Sequence, residues 1–270
     1  MNQHSMLLVG CGNMGRAMLE GWLAQKILTA NNIYIVEPNS DLHAKPQALG
    51  CCVVRDLAQL PTSLNPNFIL FAIKPQSFET VVPAYKAFAS TSTFISVVAG
   101  ITSAKFENVL SNECALIRVM PNTPAAIGEG MLAFCDNGHV LSQNLSFIEK
   151  LLSVSGEVVR VSEGQMDAVT AVSGSGPAYV FYMIECLARA GIDVGLEPEI
   201  ALTLARQTVK GAGILAATAD TAPDILRQQV TSPNGTTAAG LEVLMNQEKM
   251  QSMIRDCVRA ARDRSIELGR

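Results

Sequence analysis

The segment Leu7-Leu8-Val9-Gly10-Cys11-Gly12-Asn13-Met14-Gly15 constrains this chain more than any other. An apolar run enters a G-x-G-x-x-G turn, and an amphipathic stretch through Met18, Leu19 and Trp22 leaves it. Strand, glycine turn and helix in that order open a doubly wound α/β sheet that holds a dinucleotide. The glycines permit the tight turn and let the main chain approach a pyrophosphate, whose charge is met by the helix N-terminus. Val9, Gly10, Cys11, Gly12, Asn13, Met14 and Gly15 are therefore the first candidate cofactor-binding residues.

From Met6 to about Val161, short β-branched runs alternate with helical stretches, as a doubly wound sheet requires. The strands expected are Met6 to Val9, Ile33 to Glu37, Phe68 to Ile73, Thr93 to Val98, Ala115 to Val119, Met131 to Cys135 and Glu157 to Val161. From Glu163 onward Ala, Leu, Met and Glu recur at helical spacing and strand signals stop. The chain reads as an N-terminal Rossmann-type α/β domain over residues 1–162 and an all-α domain over 163–270. In the second, Ser173-Gly174-Ser175-Gly176-Pro177 starts a helix that Gly191 is expected to stop. A longer helix runs from about Pro198 to Ala217, with Gly211 and Gly213 explained by close helix packing. The last helix, about Lys249 to Leu268, carries Met250, Met253, Ile254, Cys257, Val258 and Ala261 on one face, suited to a core or a subunit interface.

Apolar residues are 49% of the chain, charged residues 16%, and the net charge is −4. That balance argues against disorder and against a nucleic-acid surface, leaving small molecules or further copies of itself as partners. No apolar run reaches the ~18 residues needed to span a membrane. With no basic region and apolar leader at the N-terminus, a cytosolic location is expected. The seven Cys, without a C-x-x-C pair, read as buried small hydrophobes, and three scattered His (His4, His43, His139) suggest no metal site. His139, in a polar turn, reads as solvated.

Glu37 closes the second strand about 22 residues beyond Gly15. There an acidic side chain accepts from ribose hydroxyls and repels a 2′-phosphate, which favours NAD. Asn39 and Ser40 follow at once as donors to a phosphate, and Arg55 can arrive from the next loop, so NADP stays open. Ala72, Ile73 and Lys74 end the third strand, Ala99 follows the fourth and Asn122 the fifth. Ligands of open α/β sheets lie beyond such strand ends. Lys74 suits either a ribose or phosphate contact or a solvated loop position. The Met120-Pro121-Asn122-Thr123-Pro124 loop suits either simple turn chemistry or a wall for the nicotinamide.

A second anion site is written at Val230-Thr231-Ser232-Pro233-Asn234-Gly235-Thr236-Thr237, where small hydroxyl residues and a glycine precede the apolar run Ala238, Leu241, Leu244, Met245. A helix starting there offers outward N–H groups and hydroxyls to a carboxylate or phosphate, or simply caps itself. A dinucleotide implies hydride transfer. Hydroxy-acid dehydrogenases commonly use His or Lys as proton carrier, and no His lies near a strand end here. A cyclic imine, readily protonated, needs only a hydroxyl at its ring nitrogen.

Gly10 to Gly15, Ala72 to Pro75, Arg118 to Pro124, Ala171-Val172-Ser173-Gly174-Ser175-Gly176-Pro177-Ala178-Tyr179 and Val230 to Thr237, in that order, resemble the Δ1-pyrroline-5-carboxylate reductases across nearly the whole chain. The resemblance implies reduction of Δ1-pyrroline-5-carboxylate to L-proline with NADPH or NADH. It also implies a helical domain that interlocks into dimers, often assembled into decamers. Carried over, Thr237 is the catalytic hydroxyl at the ring nitrogen, Gly235 and Thr236 present N–H groups to the carboxylate beside Ser232, and Val230 and Glu163 complete the substrate site. Asp220 stands where the family often has a Glu near the substrate loop. Two positions depart from the pattern: Asn234 replaces a glycine, and Glu37 stands where NADPH-preferring members tend to carry a small hydroxyl residue.

Two other readings compete. A β-hydroxyacid dehydrogenase joins a similar start to a helical domain, but needs a catalytic Lys where this chain has Val180. A non-catalytic NAD(P)-sensing regulator would have no use for the segment from Ser232 to Thr237.

Overall fold

A computed structural model describes residues 4–269. Eight strands form one sheet: β1 (Met6–Val9), β2 (Ile33–Val36), β3 (Cys52–Val54), β4 (Phe68–Phe71), β5 (Thr93–Ser96), β6 (Ala115–Met120), β7 (Gly130–Asp136) and β8 (Gly156–Arg160). Their order is β3-β2-β1-β4-β5-β6-β7-β8. The first six run parallel, β7 is antiparallel to β6, and β8 runs parallel to β7. Alternation of side chains sends Met6, Leu8, Phe68 and Leu70 to one face, and Leu7, Val9, Ile69 and Phe71 to the other. Helices α1 (Asn13–Ala24) and α5 (Ser142–Ser153) cover the first face through Met18, Leu19, Trp22, Ile148, Leu151 and Leu152. Trp22 also donates its indole N–H to the Leu151 carbonyl at 3.0 Å. Between the remaining strands lie α2 (Ala44–Ala48), α3 (Phe78–Val81) and α4 (Ser103–Val109).

The helices that follow are α6 (Met166–Val169), α7 (Gly176–Asp193), α8 (Pro198–Thr218), α9 (Pro223–Gln229), α10 (Thr236–Met245) and α11 (Lys249–Leu268). The chain divides into two compact units. One runs up to Gly174 and takes back the residues from Ala261 on, and the other comprises Ser175–Ala260. The terminal residues of the two expected domains, 1–3 and 270, lie outside the described residues.

Several expectations are corrected. β3 was not foreseen. The strands expected to reach Glu37, Ile73 and Val98 stop at Val36, Phe71 and Ser96. Gly191 does not end its helix: α7 continues to Asp193, and Gly195 at φ +102 makes the exit. Gly191 instead gives α7 close approach to the chain beyond it, since a Cβ there would lie 3.2 Å from the Ala201 Cβ. Gly211 and Gly213 show no such packing, because a Cβ at either meets open space. Cys11, Cys51, Cys114 and Cys135 are buried as expected, whereas Cys52 and Cys186 are exposed and Cys257 is half-buried.

The helical unit leaves its apolar side chains outside. Phe181 is 58% exposed, and Val180, Tyr182, Ile200, Leu204, Ile214 and Val243 are also exposed. Met253 and Ile254 of the α11 stripe are exposed too, so that stripe is not core within the chain. Exposed large apolar side chains in such number on one unit suit an interaction face. Among the described residues no helix is long and apolar enough to cross a membrane.

Candidate functional site

The first loop is shaped by what a side chain would strike. Gly10 has φ +88, and a Cβ on it would lie 2.7 Å from the Ala72 carbonyl oxygen. A Cβ on Gly15 would sit 2.5 Å from the Gly10 oxygen. These two glycines let β1, β4 and α1 meet where the strand order reverses, the switch point at which such sheets bind ligands. Gly12 differs: a Cβ there meets nothing within 4 Å. It is the N-cap of α1, where no side chain caps the helix. The open main chain at a twelve-residue helix N-terminus fits a pyrophosphate.

Glu37, just past β2, is 7% exposed. Its Oε2 accepts from the Cys11 N–H at 2.7 Å and its Oε1 from the Asn39 N–H at 2.9 Å. The carboxylate thus joins the glycine loop to the loop after β2 at the rim where a ribose would lie. Burial, and then the Glu37 charge, push the Cys11 thiol up to about 11, so it stays protonated and unreactive at neutral pH. A groove of about 570 Å³ opens here, lined by Gly12, Glu37, Asn39, Arg55, Ala72 and Lys74 among others. Val9, Gly10 and Ile73 also border it. Arg55 reaches across with its Nε 3.5 Å from the Pro38 carbonyl. Ser40 is exposed and outside this lining. Asn13 is exposed at the start of α1, while Met14 packs against the core.

Ala99 and Asn122, expected at the nicotinamide side, are not among the residues that line this groove. Ala99 is exposed in the loop after β5, outside the groove. Asn122 has its side chain engaged: its Oδ1 accepts from the Met131 N–H at 2.9 Å, and its Nδ2 donates to the Ser173 carbonyl at 3.3 Å and hydroxyl at 3.4 Å. It ties the end of β6 to β7 and to the π-helical turn Thr170–Gly174.

Glu163 is likewise occupied by protein. Arg118 Nη1 and the Ser103 N–H donate to its Oε1, and the Ser103 hydroxyl (2.9 Å) and the Cys135 thiol (3.0 Å) donate to its Oε2. Burial works against its charge, but the Cys135 thiol, the Arg118 guanidinium and Ser103 outweigh it and hold the carboxyl below its ordinary value. Cys135, buried and facing that carboxylate, is pushed up to about 12. This network was not foreseen. Its signal was Arg118, a lone charge inside the apolar run of β6 and opposite Cys135 in the β6–β7 register.

In the helical unit, Val230 to Thr237 forms a turn and a helix start. Asn234 has φ +58, the left-handed conformation that a glycine takes most readily and Asn better than most. The Gly235 N–H donates to the Ser232 carbonyl at 3.0 Å, so it serves the turn instead of facing outward as expected. Gly235 is the N-cap of α10, and no hydroxyl caps that helix. Ser232, Thr236 and Thr237 are exposed, with the Thr236 and Thr237 amides in the first turn, where an α-helix has no internal acceptor for them. Val230 and Asp220 are exposed as well. Among the described residues no group of three or more His, Cys, Asp or Glu could hold a metal ion.

A sheet of this order, with its open glycine at the switch point, defines a Rossmann-type protein built around a dinucleotide. Residues 163–268 match the family model for pyrroline-5-carboxylate reductase dimerisation, and residues 6–100 match that of the coenzyme F420-dependent NADP oxidoreductases. A pyrroline-5-carboxylate reductase of Synechocystis is 39% identical over 97% of both chains, and one of Methanosarcina acetivorans is 34% identical over 100% of both. A solved pyrroline-5-carboxylate reductase of Coxiella burnetii superposes with a TM-score of 0.92 at 31% identity, covering 100% of both chains. The Plasmodium falciparum pyrroline carboxylate reductase, solved with NADP bound, gives 0.86 at 29% identity with the same coverage. The chain belongs to the pyrroline-5-carboxylate reductase family.

Proposed function

We infer that this chain reduces Δ1-pyrroline-5-carboxylate to L-proline with NAD(P)H, the last step of proline biosynthesis, in the cytosol. The observation that carries the reading is the full-length likeness to named reductases, which takes in both the glycine loop and the Thr236–Thr237 helix start. When bound, a reduced nicotinamide would supply the hydride for the imine carbon and leave oxidised; the ring nitrogen, already protonated from solvent, keeps that proton as C=N becomes C–N. The Gly12 main chain and the α1 N-terminus would hold the cofactor's pyrophosphate. The Thr236 and Thr237 amides receive the substrate carboxylate, with Ser232 and Val230 beside them, and the Thr237 hydroxyl hydrogen-bonds the ring nitrogen.

Glu37 supports NADH as the better donor, since a 2′-phosphate would approach a carboxylate already fixed by two amides. The exposed apolar faces of α7 and α8 support self-association, and we place dimer contacts, with any decamer built from them, on the helical unit. The test is consumption of NADH or NADPH by the purified protein with Δ1-pyrroline-5-carboxylate. L-Proline formation with a rate proportional to enzyme is expected, and absence of turnover with both cofactors would sink the reading.

A further inference from the structure

The loop after β5, from Val97 to Thr102, carries Ala99 beyond the carboxyl end of that strand, where ligands of open α/β sheets lie. Its conformation is demanding. Gly100 has φ +74, and Val98 and Ile101 on either side of it are buried in the core on the sheet face that carries Leu7, Val9 and Phe71. Main chain from a distant part of the sequence lies against Gly100. A Cβ on Gly100 would be 3.3 Å from the Leu268 Cβ and 3.5 Å from its carbonyl, and a Cβ on Gly269 would be 2.9 Å from the Gly100 oxygen. The Leu268 atoms nearest to Gly100 are its Cβ and main chain, and the residue as a whole is exposed.

That distant segment is itself fastened. Ser265 is 6% exposed and donates its hydroxyl to Asp167 Oδ1 at 2.6 Å. Four residues before Asp167, Glu163 accepts from the amide and hydroxyl of Ser103, which directly follows the same loop. One short stretch, Glu163 to Asp167, therefore secures both sides of the Ala99 loop: directly at Ser103, and through Ser265 and Leu268 at Gly100.

We propose that the last turn of α11, Ser265 to Gly269, is a positioning element of the dinucleotide site that holds the Ala99–Gly100 loop in its left-handed turn. It touches neither substrate nor cofactor. Its effect is to fix the loop before the nicotinamide arrives, so that binding need not order it. The proposal rests on the reading of the Ala99 loop as part of the cofactor site.

The experiment is titration of the full chain with NADH and NADPH, giving Kd, alongside steady-state kinetics with Δ1-pyrroline-5-carboxylate. Ser265→Ala is expected to raise the Kd and KM for the dinucleotide about fivefold, since binding must then order the loop that the Ser265–Asp167 bond had fixed. At saturating dinucleotide its KM for the imine should stay within twofold, and Ser265→Thr should restore the dinucleotide Kd. Gly100→Ala, strained at positive φ and pressed on Leu268, is the second variant and should raise the same Kd at least threefold. Lower thermal stability with unchanged dinucleotide Kd in both variants would overturn the proposal. An unmodified protein that binds no dinucleotide would instead overturn the reading beneath it.

Discussion

Replacing Glu163 with Gln separates two roles for that residue, a lock within the nucleotide unit and a substrate contact. The Arg118 side chain is 7% exposed and its carboxylate partner 41% exposed. Stripping one member from a buried ion pair costs about 3–5 kcal/mol, because the other charge is left without compensation. Solvent around the half-open Glu163 screens part of this, which brings the expected loss to about 2 kcal/mol. Gln also sets an NH2 donor against the donors Arg118, Ser103 and Cys135. With a urea m-value of about 3 kcal/mol/M, the unfolding midpoint at pH 7 should fall by roughly 0.7 M, measured by circular dichroism at one fixed protein concentration. The pH dependence has a definite sign. The folded carboxyl titrates below its unfolded value of about 4.3, so its stabilisation is complete above that pH and is lost as pH falls through the lower folded value. The gap between unmodified and Gln proteins should hold from pH 7 to 5.5 and close in stronger acid. A gap absent at pH 7, or unchanged at pH 3, refutes the argument. Unaltered stability with a tenfold higher KM for the imine would make Glu163 a substrate residue, as the family resemblance implies.

Gly15→Ala drives a Cβ to 2.5 Å from the Gly10 carbonyl oxygen and should weaken dinucleotide binding at least tenfold by calorimetric titration. Thr237→Ala should lower kcat/KM for the imine while leaving the dinucleotide Kd unchanged; full turnover would remove Thr237 from its assigned role. Glu37→Ser should move the NADH-to-NADPH ratio of kcat/KM toward NADPH by about ten- to a hundredfold, the range of a lost charged hydrogen bond and relieved repulsion. A static ratio would count against Glu37 as the selector. In native protein at pH 8, Cys52 should react with a thiol reagent well before Cys11, Cys114 and Cys135, which are buried and held as thiols.

Where apolar period and glycine punctuation coincide, as from Met6 to Gly15, strand, turn and helix are legible in the sequence. β3 was not, because Cys52-Val53-Val54 is three residues at a half-exposed sheet edge and too short to show alternation. Gly191 looked like a stop because a glycine that ends a helix and one that admits a neighbour carry the same letter. Only the position of Ala201 tells them apart. The helix start at Thr236 was readable from its small residues. That Gly235 would donate to Ser232 was not, since it depends on the left-handed Asn234. Residues three apart at a helix N-terminus announce themselves, whereas Glu163, Arg118, Cys135 and Ser103 come from four separate elements. No local pattern links them, and only the lone charge in β6 hinted that a partner existed.

The nucleotide unit is discontinuous, taking residues up to Gly174 and again from Ala261. During synthesis the sheet can form while the helical unit is still being made, yet the piece that rests on Gly100 emerges only after Ala260. A nascent chain therefore passes through a stage with a nearly complete sheet, an unsupported β5 loop and apolar helices that have not met another copy. Such an intermediate exposes hydrophobic surface and is prone to aggregate. Cutting the gene at the apparent end of the first unit would yield a fragment arrested at that stage. Expressing the sheet alone would test folding of that intermediate, not of the native nucleotide unit.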